Sequence, residues 1–212
     1  MKPGPIRLYL ITDRTRTGGR PLFDVVEAAL RGGVDAMQLR EKDLPARDLV
    51  DLARRLRTLC NRYGTRLLIN DRIDVALAAQ ADGVHLPVNS FLPADARRLL
   101  GPSGLIGVST HSPAEARVAA TGGADFIIFG PLFETPSKRA YGPPVGVGAL
   151  ERVTAEVAVP VIAIGGITAD RVAMVCQHGA GGVAVIGAVL EAEHPEVMAR
   201  EIKARLKSGR EV

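Results

Sequence analysis

The sequence predicts a single (β/α)8 barrel, one domain that covers residues 1–212. Eight short runs of β-branched or aliphatic residues recur along the chain, and amphipathic segments fill the gaps between them. No linker or shift in composition divides the chain. With 212 residues, of which 47% are hydrophobic, it is large enough to bury the core of one such domain.

The eight predicted strands are continuous apolar runs rather than alternating ones. Strands that are buried on both faces of a parallel sheet need this pattern. The runs cover residues 8–12, 36–40, 66–70, 83–86, 105–109, 126–130, 161–164 and 182–186. Because parallel strands require crossover connections, the segments between them are expected to be helical.

Six amphipathic segments supply predicted helices, at residues 22–30, 46–63, 113–122, 146–157, 168–178 and 195–206. Ser112 to Glu115 has the form of a capping box with proline at the first helical position, and Thr168 is positioned to cap a later helix. Glycines follow four of the predicted helix ends, where a left-handed residue closes a helix cheaply. They are Gly32, Gly64, Gly122 and Gly179.

An open Rossmann-like sheet is the alternative architecture. It is disfavoured because the first predicted strand is followed by Thr12-Asp13-Arg14-Thr15 and not by a GxGxxG turn. The glycine pair of this chain comes late, after the seventh predicted strand. A closed barrel therefore remains the prediction.

Composition argues against several classes of protein. The formal charge of +4 accompanies an ordinary 24% of charged residues, which indicates a solvated surface. Only 4% of residues are aromatic and no basic run alternates with them, so a nucleic-acid partner is not expected. The apolar run near the N-terminus is far shorter than the roughly 18 residues that span a bilayer, and we expect a cytoplasmic protein without a membrane partner. Cys60 and Cys176 lack CxxC spacing and are expected to be buried free thiols.

Polar residues follow the predicted strands at their C-terminal ends, where barrel enzymes place their active sites. Alternation along the second strand turns Gln38 and Arg40 toward the barrel interior if Leu39 packs outward. A guanidinium in that position needs an anion, so Arg40 and Lys42 meet either structural carboxylates or the phosphates of a ligand. With the other rim residues taken together, the ligand is the favoured interpretation.

Glycines end the last two predicted strands. Gly165, Gly166 and Gly187 lie where barrels commonly bind phosphate through backbone N–H groups. Glycines of tight turns are the alternative, but two such sites on adjacent strands favour a phosphate site.

Three further features leave alternatives open. The long connection from residue 131 to residue 145 is either a lid or a solvated loop. Asp71 is a candidate ligand of Mg²⁺, with substrate phosphates completing the coordination shell, or else the cap of a following helix. His85 and His111 are either acid–base groups or structural residues, and neither is assigned a catalytic role.

These rim motifs, in this order, resemble the thiamine-phosphate synthase family between Leu8 and about Leu190. The motifs that carry the likeness lie at residues 9–13, 38–42, 69–72, 83–86, 107–109, 130–131 and 163–167. The resemblance implies a barrel that joins hydroxymethylpyrimidine diphosphate to a thiazole phosphate and releases diphosphate. It also implies Mg²⁺ as the cofactor.

The resemblance assigns residues to the two substrates. The pyrimidine and its diphosphate would be bound by Gln38, Leu39, Arg40, Glu41, Lys42, Asn70, Ser109 and Lys138, with Asp71 on Mg²⁺. The thiazole phosphate would be bound by Thr135, Pro136, Ser137, Gly165, Gly166, Ile186 and Gly187. The catalytic candidates are Arg40, Lys42, Ser109 and Lys138. In the carbocation mechanism thought to operate in the family, Arg40, Lys42, Lys138 and Mg²⁺ would meet the charge of the departing diphosphate.

One departure from the family pattern weakens the metal site. Ser90 occupies the place of the family's second metal-binding aspartate, so the affinity for Mg²⁺ is expected to fall. The segments around Ser90 and Glu134 are similar to those of a sister branch, the thiazole tautomerases. The catalytic histidine proposed for that branch falls at Pro131, which cannot move a proton.

The prediction is therefore a synthase, since the 38–42 segment and Lys138 are retained. A thiazole tautomerase and a non-catalytic thiazole-phosphate-binding or regulatory protein are the alternatives. The sequence leaves the oligomeric state open, including a homo-oligomer.

Overall fold

A computed structural model describes residues 4–135 and 143–208 of the chain. Eight parallel strands form a closed barrel in sequential order, in which the eighth strand pairs with the first. The strands are β1 Leu8–Ile11, β2 Ala36–Leu39, β3 Arg66–Asn70, β4 Gly83–Leu86, β5 Leu105–Thr110, β6 Phe126–Phe129, β7 Val161–Ala163 and β8 Gly182–Val185. The predicted fold is confirmed, and every predicted strand agrees with the observed one to within one residue at either end.

Nine α-helices accompany the strands in the described part of the chain. They are α1 Leu22–Arg31, α2 Ala46–Tyr63, α3 Ile73–Ala78, α4 Pro93–Leu100, α5 Pro113–Thr121, α6 Val147–Glu156, α7 Val172–Gln177, α8 Gly187–Leu190 and α9 Pro195–Ser208. Short 3-10 helices cover Arg14–Arg16 and Ala169–Arg171, so the helix predicted at 168–178 is divided in two. The sequence did not predict α3, α4 and α8, because eight residues or fewer give too little periodicity. None of these helices has the length and apolarity that a membrane crossing requires.

The predicted helix signals are correct in part. Ser112 accepts a hydrogen bond from the N–H of Glu115, as predicted, whereas Thr168 makes no capping bond. Gly64 and Gly179 adopt the left-handed conformation, with φ of 65° and 89°. Gly32 and Gly122 do not, with φ of −73° at both; the next residue, again a glycine, takes the left-handed conformation instead. At these two helix ends the left-handed residue is therefore one position later than predicted, at the second glycine of each pair.

Two apolar layers surround the sheet. One lies between the strands and the outer helices and contains Leu39 and the buried thiol Cys60. The other fills the barrel interior and contains Tyr9, Leu68 and Phe126. The outward orientation predicted for Leu39 is confirmed. Cys176, by contrast, is only partly buried, so its predicted full burial is wrong.

At the N-terminal end of the barrel, an aspartate directly precedes each of β2, β4 and β6. Asp35, Asp82 and Asp125 each accept a hydrogen bond from a backbone N–H of the preceding strand, at 2.7–2.8 Å for the nearest of these contacts. Each also forms an ion pair with a helix cation: Lys203, Arg57 and Arg97, respectively. One carboxylate thus links two strands and a helix.

We predict that Asp82→Ala lowers the free energy of unfolding by about 2 kcal/mol or more, since the Leu67 N–H and the partly buried Arg57 both lose their acceptor. Urea unfolding measures the change. Asp51→Ala is the matched control, because Asp51 is exposed and only 3.8 Å from Arg54, and it should change stability by less than about 0.5 kcal/mol. Equal effects of the two variants would contradict a linking role for Asp82.

Candidate active site

A cavity of about 710 Å³ opens at the C-terminal ends of the strands. This volume suits a small-molecule site. The predicted residues that line it are Gln38, Arg40, Lys42, Asn70, Ser109, Thr135, Gly165, Gly166, Ile186 and Gly187. Pro136, Ser137 and Lys138 lie outside the described residues. The rim residues predicted from separate strand ends are therefore brought together in one cavity.

The cations at the end of β2 face this cavity. Arg40 has no ion pair and no side-chain hydrogen bond within residues 4–135 and 143–208, and only its backbone N–H is engaged, with Thr12 Oγ1 at 2.9 Å. The neighbouring Glu41 turns away, and its buried carboxylate accepts from the backbone N–H and the Nη1 of Arg14. The carboxylate nearest to Arg40 in the sequence, that of Glu41, is thus paired with Arg14.

Two residues of the predicted substrate-binding set, Leu39 and Glu41, do not line the cavity, and neither do Asp71 and Ser90 of the predicted metal site. Leu39 is buried between sheet and helices, and Glu41 is engaged with Arg14. Alternation along the strand separates them from Gln38, Arg40 and Lys42. Their assignment to the substrate came with the whole segment, and the geometry does not support side-chain contact with a ligand.

His85 lines the cavity, and its ring lies near the rings of Tyr9 and Phe126 in the barrel interior. Its Nε2 is 2.8 Å from Ser109 Oγ, while its buried Nδ1 has no partner in the described chain. An unpaired acceptor is tolerated better in the interior than an unpaired N–H, which favours the tautomer with the hydrogen on Nε2. Ser109 then accepts from His85, and its own hydrogen is available to the cavity.

Burial, aided by the charge of Arg40, lowers the pKa of His85 to about 3. A histidine whose pKa is depressed in the folded state stabilises the fold fully above its unfolded pKa near 6.5, and this contribution is lost as the pH falls below that value. We predict that between pH 6.5 and 4.5 the stability of the wild type falls by about 1.4 kcal/mol per pH unit more than that of His85→Gln.

Urea unfolding at a series of pH values measures this difference. His194→Gln is the control, since the His194 side chain is 73% exposed, and it should retain the slope of the wild type. Parallel pH dependences for the wild type and His85→Gln would show that His85 is not buried in its neutral form.

Asp71 follows β3 in a left-handed backbone conformation, with φ of 64°. This conformation is uncommon outside glycine and is often found at functional sites. The Asp71 N–H donates to the carbonyl of His85, and the Ser90 hydroxyl donates to the Asp71 carboxylate. The helix that follows begins at Ile73 without a side-chain cap, so the capping role considered for Asp71 is wrong.

Glycine permits close packing at the ends of β7 and β8. A Cβ on Gly165 would lie 2.5 Å from Pro131 Cα, so Gly165 is needed where two loops touch. Gly166, with φ of 66°, and Gly187 both face the cavity, and their backbone N–H groups donate to no residue of the described chain. Two N–H groups on neighbouring strand ends are thus available to an anion, and the phosphate site at these glycines stays a prediction.

Several charged residues of the cavity were not predicted. Arg171 donates from Nη1 to the Gly166 carbonyl at 2.7 Å, and its guanidinium lies 4.4 Å from the ring centroid of Phe133. Arg16 and Glu191 lie on the rim beside Gly187 and form an ion pair at 2.6 Å. Both arginines follow strand ends by several residues. Their positions in the loops after β1 and β7 are the sequence signal that could have identified them.

The two histidines considered for acid–base roles have different surroundings. His85 is enclosed, whereas His111 is exposed on the cavity rim with Nδ1 2.5 Å from the Gly130 carbonyl.

No group of three or more His, Cys, Asp or Glu residues within the described ranges is arranged to hold a metal ion. Any cation here would depend on Asp71 together with ligand oxygens.

The fold and this cavity define a (β/α)8 barrel with cations and free backbone N–H groups at one small-molecule site. A sequence model of the family described as thiamine monophosphate synthase matches residues 8–189. The chain belongs to this family.

Individual relatives agree with the match. A protein from Roseiflexus castenholzii named thiamine-phosphate synthase is 47% identical over 196 residues, which are 92% of this chain and 86% of the relative. One of the same name from Moorella thermoacetica is 43% identical over 196 residues, 92% of this chain and 93% of its own. The structure of thiamine phosphate pyrophosphorylase from Pyrococcus furiosus superposes with a TM-score of 0.89 at 35% identity and covers 97% of both chains.

Proposed function

We propose that this chain is a thiamine-phosphate synthase that joins hydroxymethylpyrimidine diphosphate to a thiazole phosphate and releases diphosphate. The observation that carries the proposal is the presence of two separate anion-binding groups in one cavity. Arg40 and Lys42 reach it from the end of β2, while Gly166 and Gly187 offer backbone N–H groups from β7 and β8. A reaction between two phosphorylated molecules requires two such groups.

The residues at the end of β2 have a role at the bond that breaks. When the pyrimidine carbon separates from its diphosphate, negative charge accumulates on the departing oxygen. Arg40 and Lys42 meet that charge, and Lys138 is assigned the same role by family resemblance. No protein nucleophile is needed, because the thiazole nitrogen captures the pyrimidine cation directly. The walls of the barrel hold the two rings in position for that capture.

Ser109 and Gln38 orient the pyrimidine in this proposal. Ser109 accepts from His85 and so donates its own hydrogen toward the ligand. Gln38 is almost fully buried, and its amide N–H₂ is 3.4 Å from the Tyr9 hydroxyl. Both polar groups are fixed by neighbours before the substrate arrives, which lowers the entropic cost of binding. Asn70 lines the same wall.

The donor set fits a weak Mg²⁺ site. Asp71 and Ser90 offer oxygen atoms, which Mg²⁺ prefers, but only one of them is charged. Mg²⁺ would be held by Asp71 and by the diphosphate of the substrate, and when bound it would help to neutralise the leaving group. The use of Mg²⁺, the cytoplasmic location and the oligomeric state stay predictions.

We predict that Arg40→Ala lowers synthase turnover by about 100-fold while changing the free energy of unfolding by less than about 1 kcal/mol. The reason is that no carboxylate of the described chain loses its partner when Arg40 is removed. Steady-state kinetics and urea unfolding measure the two effects. Arg98→Ala, on a side chain that is 78% exposed, is the control that should alter neither. A loss of several kcal/mol in Arg40→Ala would assign Arg40 to the scaffold.

We also predict that Ser90→Asp tightens Mg²⁺ binding and keeps or raises synthase turnover. In the absence of the metal, the second carboxylate beside Asp71 should lower stability through like-charge repulsion. Calorimetric titration with Mg²⁺, with and without the pyrimidine diphosphate, tests this. In the wild type, binding should be weak for the metal alone and should tighten markedly with the diphosphate present.

The tautomerase and the non-catalytic binder are separated from the synthase by turnover. Pro131 lines the cavity at the position of the tautomerase histidine and cannot transfer a proton. Failure of both the wild type and Ser90→Asp to form thiamine phosphate at saturating Mg²⁺, with aromatisation of the thiazole in EDTA, would overturn the synthase proposal. Absence of both reactions, with thiazole phosphate still bound, would point to the non-catalytic alternative.

A further inference from the structure

The Arg16 side chain covers the backbone of Gly187. Arg16 ends the 3-10 helix that follows β1, and Gly187 follows β8, which is paired with β1. A Cβ built on Gly187 would lie 2.9 Å from Arg16 Cζ and closer still to its Nη2. Only a glycine at this position leaves the guanidinium room to lie against the backbone.

The hydrogen bonds of this guanidinium are only partly used. Nε donates to Glu191 Oε1 at 2.6 Å, and within the described residues Nη1 and Nη2 have no partner. The guanidinium thus presents up to four N–H donors on the cavity rim, next to the free N–H of Gly187. An arginine edge with two parallel donors matches two oxygens of a phosphate.

The other cations around the cavity are positioned for different tasks. Arg171 is stacked on Phe133 and donates to the Gly166 carbonyl, so its contacts lie within the protein. Arg40 and Lys42 extend from β2. Arg16, by contrast, lies against Gly187.

We propose that Arg16 is a phosphate-binding residue that works with the Gly166 and Gly187 N–H groups, and that Glu191 is a positioning residue that holds Arg16 in place. Backbone N–H groups carry only partial positive charge, so a dianionic phosphate is bound tightly when a full cation completes the site. This inference rests on the proposed function only in identifying the phosphate as that of the thiazole substrate. The site itself would bind a phosphate monoester whatever the reaction.

Glu191 has two opposite effects in this arrangement. Its hydrogen bond fixes the Arg16 side chain, which would otherwise lose rotamer freedom on binding. Its negative charge, in the same cavity, opposes an approaching phosphate. Glu191→Gln keeps an oxygen acceptor for Arg16 Nε and removes the charge, so it separates the two effects.

The first measurement is calorimetric titration of the substrate-free protein with inorganic phosphate. Arg16→Ala should weaken phosphate binding about tenfold or more, the scale of one charge-assisted hydrogen bond, and Arg16→Lys should lie between it and the wild type. Glu191→Gln should bind phosphate more tightly than the wild type. Arg31→Ala is the matched control. Arg31 forms a similar long-range ion pair, with 2.9 Å between its Nε and Glu196 Oε2, and neither residue lines the cavity, so this variant should bind phosphate as the wild type does.

The second measurement is steady-state kinetics with both substrates. Arg16→Ala should raise the KM for thiazole phosphate about tenfold, leave the KM for the pyrimidine diphosphate unchanged, and leave the kcat/KM for the unphosphorylated thiazole alcohol unchanged. A residue that acted only on the scaffold would change all three values together.

Each result has one consequence. Phosphate binding by Arg16→Ala equal to that of Arg31→Ala would overturn the proposal, and loss of binding in Glu191→Gln would overturn the role given to Glu191. If the wild type makes no thiamine phosphate but Arg16→Ala still loses phosphate binding, the proposed function fails and the phosphate role of Arg16 stands. Normal synthase turnover with phosphate binding unaffected by Arg16→Ala would refute this inference alone.

Discussion

Closure of the sheet is the constraint on which the site depends. β1 is hydrogen-bonded to β2 on one side and to β8 on the other, and the pairing of β1 with β8 closes the barrel. As a result, the segment after β1 lies next to the segments after β2 and β8. Thr12 then accepts from the Arg40 N–H on one side, and Arg16 pairs with Glu191 on the other. In an open sheet of the same strands, the Gly187 and Arg16 segments would lie at opposite edges.

The two ends of the barrel differ in how their charged groups are paired. At the N-terminal end, aspartates 35, 82 and 125 bind both backbone N–H groups and helix cations, so each charge there is compensated within the protein. At the C-terminal end, and within residues 4–135 and 143–208, Arg40 has no carboxylate partner and the Gly166 and Gly187 N–H groups have no acceptor. The N-terminal end thus compensates these carboxylates within the protein, whereas the C-terminal end retains donors for an anionic ligand.

The segments after β3 and β4 bring one carboxylate and one hydroxyl together. Asp71 holds a left-handed conformation, and its N–H donates to the His85 carbonyl. The Ser90 hydroxyl, at the place that the family resemblance gives to a second aspartate, donates to this carboxylate. In the proposed function, one carboxylate would supply little negative charge to Mg²⁺, and the substrate diphosphate would supply the rest.

Local sequence determined much of this protein. Continuous apolar runs located all eight strands, and the residue types at their C-terminal ends located part of the cavity wall, including Gln38, Arg40, Ser109 and Gly166. These features depend on periodicity and on short-range alternation, which a sequence displays. Only the tertiary structure decided the partners. Glu41 pairs with Arg14, so Arg40 has no carboxylate partner in the described part of the chain, and Arg16 meets Glu191, 175 residues away in sequence. Such pairings follow from where strand ends converge once the barrel closes, and no local pattern carries that information.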